Sequence, residues 1–349
     1  MSLTFLILIA ILIKGESSRR ANLAHHSTFV SPQPTATYET TTIMTIKKVV
    51  LAGANGKLGP AILHALLSAE AFTVTVLSRS SSISTYPAAV HVARVSDDFP
   101  QDELVHALRG QDALVVVFAG SNSDLQIRLA DAAAQAGVRR FVPADFGSCD
   151  SSSARALELV PLYRAKQKVR RHLQQLAEEE EGSLRSGAGL SWTSLVCGHF
   201  FDFGLKSGLL GFDLKAHRAR LFDGGDVRWS ATTTETIAKA VVRVLQHDVQ
   251  TRNRMLYIQS FCVTQNEVLR ALQRVVTGQS WQVERLDSDE FIRQVRDKAD
   301  QGDAEATEEL VGVVGIVDSN WEGKDDFANS LLGLETEDLD HVVRQVVSS

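Results

Sequence analysis

Val49, Val50, Leu51 and Ala52 form a continuous apolar run with no polar alternation, the pattern of a strand buried on both faces. Glycines follow at 53, 56 and 59. Pro60 then stands where a helix begins, and Ile62, Leu63, Leu66 and Leu67 recur at helical spacing. The local prediction is strand, tight turn, helix. Further strands are predicted at 72–77, about 90–95 and 113–118, with a helix at about 101–109 between the last two. Ser121, Asn122 and Ser123 offer N-caps for a helix through Leu125, Leu129 and Ala133, which Gly137 stops ahead of a strand at 140–142. Alternation of this kind predicts an α/β fold built on a doubly wound parallel sheet.

From about 162 a helix carries Tyr163, Lys166, Val169 and Leu173 into Glu178 to Glu181 and a Gly/Ser-rich loop at 182–189. Residues 190–196 read as a sixth strand. Beyond it the pattern loosens into Gly- and Phe-rich segments with short helices at 235–245 and 267–276. The acidic stretch 300–309 reads as a solvated helix face or loop, and no internal repeat is present. Near the start, the apolar run 3–13 is shorter than the roughly 18 residues a bilayer span requires. It also lacks the basic n-region of a secretory signal, which is the minor alternative here. Met44 opens directly on the first strand, and Ser, Thr, Pro and His crowd 25–42. Residues 1–43 are therefore expected to be a disordered extension or a mis-assigned start.

The length of 349 residues suits two domains or one large α/β unit. With 44% apolar and 22% charged residues, collagen-like, coiled-coil and fully disordered classes are excluded. A net charge of −6 without a basic block argues against nucleic acid as a partner. Three widely spaced cysteines with no CxxC support neither a disulfide framework nor a zinc site, so no metal and a reducing, cytoplasmic setting are expected, with no membrane association.

The glycine turn carries the first chemistry. Without a Cβ, Gly53 can turn sharply, Gly56 lets the backbone approach a pyrophosphate, and Gly59 permits close helix-to-strand packing, with the helix N-terminus facing the anion. A P-loop is excluded, because Leu58 stands where a Mg²⁺-binding Ser or Thr would be required after Lys57. At the end of the second strand an acid would bond the ribose 2′-OH of NAD, whereas an arginine accommodates the 2′-phosphate of NADP. This chain has Leu77-Ser78-Arg79-Ser80 and no acid there, which points to NADPH. The cofactor-binding set is then Gly53, Asn55, Gly56, Lys57, Leu58, Gly59, Arg79 and Lys166. Residues 44–200 are assigned to an NAD(P)-binding Rossmann domain, and 201–349 to a smaller α+β substrate-binding region interleaved with it.

Several motifs resemble the NmrA-like, isoflavone-reductase-like branch of atypical short-chain dehydrogenases, which includes phenylcoumaran benzylic ether and pinoresinol reductases, and most of all its fungal members. These are the glycine turn 53–59, Arg140-Phe-Val-Pro-Ala-Asp145-Phe146-Gly147, Lys166-Gln-Lys168-Val-Arg170-Arg171, Trp229-Ser-Ala-Thr-Thr-Thr-Glu235 and the late Leu331-Leu-Gly-Leu. The resemblance covers about residue 44 to the end and implies that Lys166, the first lysine of its motif, is catalytic. Tyr163 lies three residues before Lys166, and no Tyr-x-x-x-Lys occurs in the chain, which counts against an ordinary alcohol dehydrogenase. Tyr163 is assigned to packing. Asp145 and Phe146 lie beyond a strand's carboxyl end, where open α/β sheets bind ligands, and are candidate substrate residues. His199 offers either a hydrogen bond to a phenol or carbonyl or a satisfied structural position.

The leading expectation is an NADPH-dependent reductase acting on an aromatic, phenolic or polyketide-like small molecule. The alternative is an NADP-binding redox sensor without turnover. A homodimer is left open.

Overall fold

The computed structural model describes residues 45–118, 122–181 and 189–349. Strand β1 (Lys48–Ala52) sends Val49 and Leu51 into one core and Val50 and Ala52 into another, so the run is apolar throughout because both faces are covered. The chain continues through α1 (Gly59–Ser68), β2 (Thr73–Arg79), β3 (His91–Val95), α2 (Gln101–Leu108), β4 (Ala113–Val116), α3 (Ser123–Ala136) and β5 (Arg140–Val142). Then come α4 (Ala154–Leu159), α5 (Pro161–Glu181), β6 (Ser191–Val196), β7 (His199–Phe200) and α6 (Phe201–Ser207). The C-terminal part adds β8 (Phe212–Asp213), β9 (Arg218–Phe222), β10 (Trp229–Thr232), α7 (Thr234–Gln246), β11 (Arg254–Tyr257), β12 (Phe261–Val263) and α8 (Gln265–Val275). It closes with β13 (Gln282–Leu286), α9 (Ser288–Asp300), α10 (Ala304–Val317), α11 (Asn329–Leu332) and α12 (Leu339–Ser348).

The central sheet has seven parallel strands in the order β11-β6-β5-β4-β1-β2-β3. Ile62 and Leu66 of α1 pack with Ile237 and Val241 of α7 on one face; Leu104, Leu129 and Leu173 of α2, α3 and α5 cover the other. This is the doubly wound arrangement of a Rossmann fold, and chain order reverses between β1 and β4, where such sheets bind ligands.

Local signals and structure agree at the caps. Asn122 accepts from the Leu125 amide at 3.2 Å, and Gly137 ends α3 in the left-handed region at φ 79. Strand β2 runs two residues beyond the predicted 77, since Ser78 and Arg79 pair with Arg94 and Val95 of β3. Strand β4 stops short of 118, where the chain turns out toward the glycine turn. The seventh strand, β11, was not among the predicted elements; it and α7 return the C-terminal half to the central sheet. The rest of that half builds two three-stranded sheets, β12-β10-β7 and β13-β9-β8, around a core of Phe201, Phe212, Trp229, Leu272 and Val314. The readings of 1–43, of Ser121 and of most of the Gly/Ser-rich loop lie outside the described residues. Among the described residues no helix is long and apolar enough to cross a membrane.

Candidate active site

A cleft of about 1420 Å³ runs from the carboxyl ends of β1 and β2, past α5, to the start of α10. One ligand typically occupies about 300–1,000 Å³, so the space accommodates a dinucleotide and a second molecule.

Its first wall is the glycine turn. Gly53 has φ 98, and a Cβ there would sit 2.7 Å from the Phe118 amide nitrogen. The Gly56 amide closes the turn on the Gly53 carbonyl at 3.0 Å. Gly59 does not line the cleft; a Cβ on it would lie 2.3 Å from the Ala54 carbonyl, so this glycine lets α1 sit down on the turn. No side chain caps α1, which leaves its first-turn amides to an anion. Asn55, Gly56, Lys57 and Leu58 line the cleft with Arg79 at the end of β2. These features fit the pyrophosphate and adenosine end of a nicotinamide dinucleotide.

The sequence did not reveal how the loop after β2 is held. Asn55 Nδ2 donates to Ser84 Oγ at 2.7 Å and Tyr86 Oη at 2.8 Å, folding that loop over the turn. Arg94 donates to the carbonyls of Arg79 and Ser82 at 3.2 and 2.8 Å. Asp97, within electrostatic reach of Arg79, accepts from the Ser81 amide at 3.1 Å and from the Ser81 hydroxyl, which holds its carboxyl below the usual range.

Further along the cleft the chain leaves β5 through a contorted segment. The Asp145 amide donates to the Pro143 carbonyl at 2.8 Å, and Phe146 takes φ 37, a conformation that costs a bulky residue on the order of 1–3 kcal/mol. This bend turns the Asp145 carbonyl toward α5, where Lys166 Nζ donates to it. The helix periodicity separates the two motif lysines. Lys166 is buried and lines the cleft, whereas Lys168 is exposed and pairs with Asp124 at 2.8 Å. Burial pulls the Lys166 ammonium below its ordinary range, and the Asp145 carboxylate opposes that shift.

Tyr163 also lines the cleft, but its phenol exchanges a 2.6 Å hydrogen bond with Ser148 Oγ and accepts from the Cys149 amide at 3.1 Å. Burial pushes that phenol well above its ordinary value. His199 is buried edge-on to Trp229 and donates from Nε2 to the Gly312 carbonyl at 3.0 Å. Its pKa falls to about 4 because burial outweighs that bond, so the ring is neutral. The structure thus gathers every candidate site residue except Gly59 at one cleft, with the Tyr163 hydroxyl and His199 Nε2 engaged in protein hydrogen bonds.

The far walls came from no sequence motif. Leu162, Phe200, Phe203, Leu209, Phe222, Phe291 and Val311 make them apolar and aromatic. Lys57 Nζ lies 4.2 Å from the Phe203 ring centroid, bridging the turn and this wall. At the end, Arg220 pairs with Glu309 at 3.0 Å and lies over the Phe291 ring. The acidic stretch is thus the end of α9, a turn and the opening of α10, with Glu305 and Glu308 exposed at the rim of the cleft.

The family described as NAD(P)H-binding matches residues 53–248. The chain is 34% identical to the oxidoreductase aprR of Aspergillus flavus over 308 residues, 87% of this chain and 99% of that protein. It is 33% identical to the oxidoreductase poxI of Penicillium oxalicum, over 86% and 94% of the two chains. Among solved structures, AtPrR2 with NADP+ and (+)pinoresinol superposes with a TM-score of 0.68 at 21% identity, over 87% of this chain and 99% of that one.

Proposed function

The chain belongs to the NAD(P)H-binding family of oxidoreductases, and from that premise we propose that it is an NADPH-dependent reductase of an aromatic, phenolic or polyketide-like small molecule. One observation carries the reading: the glycine turn, Arg79, the buried Lys166 ammonium and an aromatic wall share one continuous cleft. The neighbour captured with NADP+ and pinoresinol is consistent with that choice of ligands. Three free, buried cysteines suit a reducing, cytoplasmic setting.

When bound, the nicotinamide supplies a hydride to an electrophilic carbon conjugated with a carbonyl or phenol oxygen. The turn amides and the open N-terminus of α1 hold the pyrophosphate, and Arg79 meets the 2′-phosphate. Phe203, Phe222 and Phe291 stack the ring system and exclude water from it. Lys166 stands at the reacting oxygen: its ammonium stabilises the negative charge that develops there and donates the proton that completes the reduced product, then regains one from solvent.

Arg79 gives this reading a cofactor test. Charge-assisted bonds to a phosphate contribute about 1.5–3 kcal/mol, and Arg79→Glu replaces them with repulsion while leaving the pyrophosphate turn intact. NADPH affinity is expected to fall at least about tenfold more than NADH affinity. Titration of both cofactors into wild type and variant measures this. Equal weakening of the two would remove Arg79 as the discriminating residue.

A further inference from the structure

Burial opposes the charge of Lys166, and Arg170, also buried, stands about one helical turn further along α5. The groups that face it are Asp145 after β5, Cys149 ahead of α4, Cys197 after β6, and Tyr163 on its own helix. Burial pushes both thiols and the phenol upward, so these three are neutral at ordinary pH. Asp145 is then the one anion of the group. Its Oδ2 accepts from Ser194 Oγ of β6 and lies 3.8 Å from the Arg170 guanidinium. Its Oδ1 is buried with no hydrogen-bond partner among the described residues. An unsatisfied buried carboxylate oxygen is costly, and it is retained here on the residue whose backbone carbonyl accepts from the Lys166 ammonium.

We propose that Asp145 is the positioning residue for Lys166: its carbonyl fixes where the ammonium sits, and its carboxylate is the counter-charge that keeps the lysine protonated inside the cleft. Arg170 competes for the same carboxylate from the far side, and Ser194 orients it. The inference rests on the proposed role of Lys166, but it concerns the charge of that side chain whatever reaction follows. Asp145 itself does not touch substrate in this account.

Opposite charges at close range shift a pKa by about 1–3 units. Removing the carboxylate with Asp145→Asn is therefore expected to move the loss of the Lys166 proton at least about one unit toward acid, a tenfold change in proton affinity. Competitive labelling with acetic anhydride, read at the Lys166 peptide by mass spectrometry across pH, measures this directly, because only the neutral amine reacts. The experiment uses the full chain without cofactor or substrate, so it does not depend on turnover. Asp145→Glu is expected to restore the wild-type profile, and Arg170→Gln, which removes the competing cation, to shift it the opposite way. With a substrate in hand, the alkaline limb of kcat follows the same order of variants. If labelling moves as expected while Lys166→Ala retains activity, the counter-charge stands and the catalytic reading of Lys166 fails. If Asp145→Asn and Arg170→Gln both leave the labelling profile of Lys166 unmoved, Asp145 is not its counter-charge and the proposal is overturned.

Discussion

Lys166→Ala is expected to lower kcat by about 10²–10⁴, the usual range for losing a general acid or an oxyanion-stabilising cation. NADPH affinity should remain nearly unchanged, because the proposal assigns the side chain to the reacting oxygen and the pyrophosphate to the turn at 53–59. Lys168→Ala is the internal control. Two positions along a helix rotate a side chain by about 200°, and Lys168 is spent on an exposed pair with Asp124. It should keep most activity. Steady-state kinetics with fluorescence titration of NADPH separates the two variants. An active Lys166→Ala beside an inactive Lys168→Ala would place the chemistry on the wrong lysine.

Arg140→Ala should cost stability far more than activity. The guanidinium is fully buried beneath β5 and donates to Ser191 Oγ at 3.0 Å, to Thr193 Oγ1 and Thr251 Oγ1 at 2.8 Å each, and to Asp248 at 2.6 Å. Burial lowers its pKa only to about 10, so it stays charged at neutral pH. Removing one member of a buried pair costs about 3–5 kcal/mol. Asp248 is 24% exposed and can recover some hydration, which favours the lower end. Urea unfolding should show the midpoint falling with the slope unchanged. Arg140→Met, which restores volume but no donors, should recover little of the loss; full recovery would mean that packing, not the hydrogen-bonded charge, matters at this position.

The parts legible in the sequence are those whose cause is local. The turn at 53–59 is legible because the positive φ of Gly53, the Gly56 amide bond to the Gly53 carbonyl and the contact of Gly59 with Ala54 all arise within one strand, turn and helix, although Gly53 also meets Phe118 of a distant strand end. The opposed faces of Lys166 and Lys168 follow from helical periodicity alone. Arg140 was legible only as a family mark, since Thr193, Asp248 and Thr251 approach it from 53 to 111 residues away. The aromatic wall was illegible for the same reason: Phe203, Phe222 and Phe291 come from three separate segments with no common spacing. The sequence pattern ends the second strand two residues short because Ser78 and Arg79 are polar, and pairing with β3 keeps them extended. His199 is open to two readings in the sequence because the Gly312 carbonyl that engages it belongs to α10, 113 residues on.

The proposed reaction is delivery of the NADPH hydride to a molecule held in this cleft beside Lys166. It is tested most directly by incubating purified protein with NADPH deuterated at the transferable position and a panel of phenolic and quinonoid acceptors, then locating the label by mass spectrometry. Deuterium is expected on a carbon of the reduced acceptor with wild type and Lys168→Ala, and almost none with Lys166→Ala. Deuterium appearing equally with Lys166→Ala, or acceptor reduction that leaves the label on the cofactor, would contradict it.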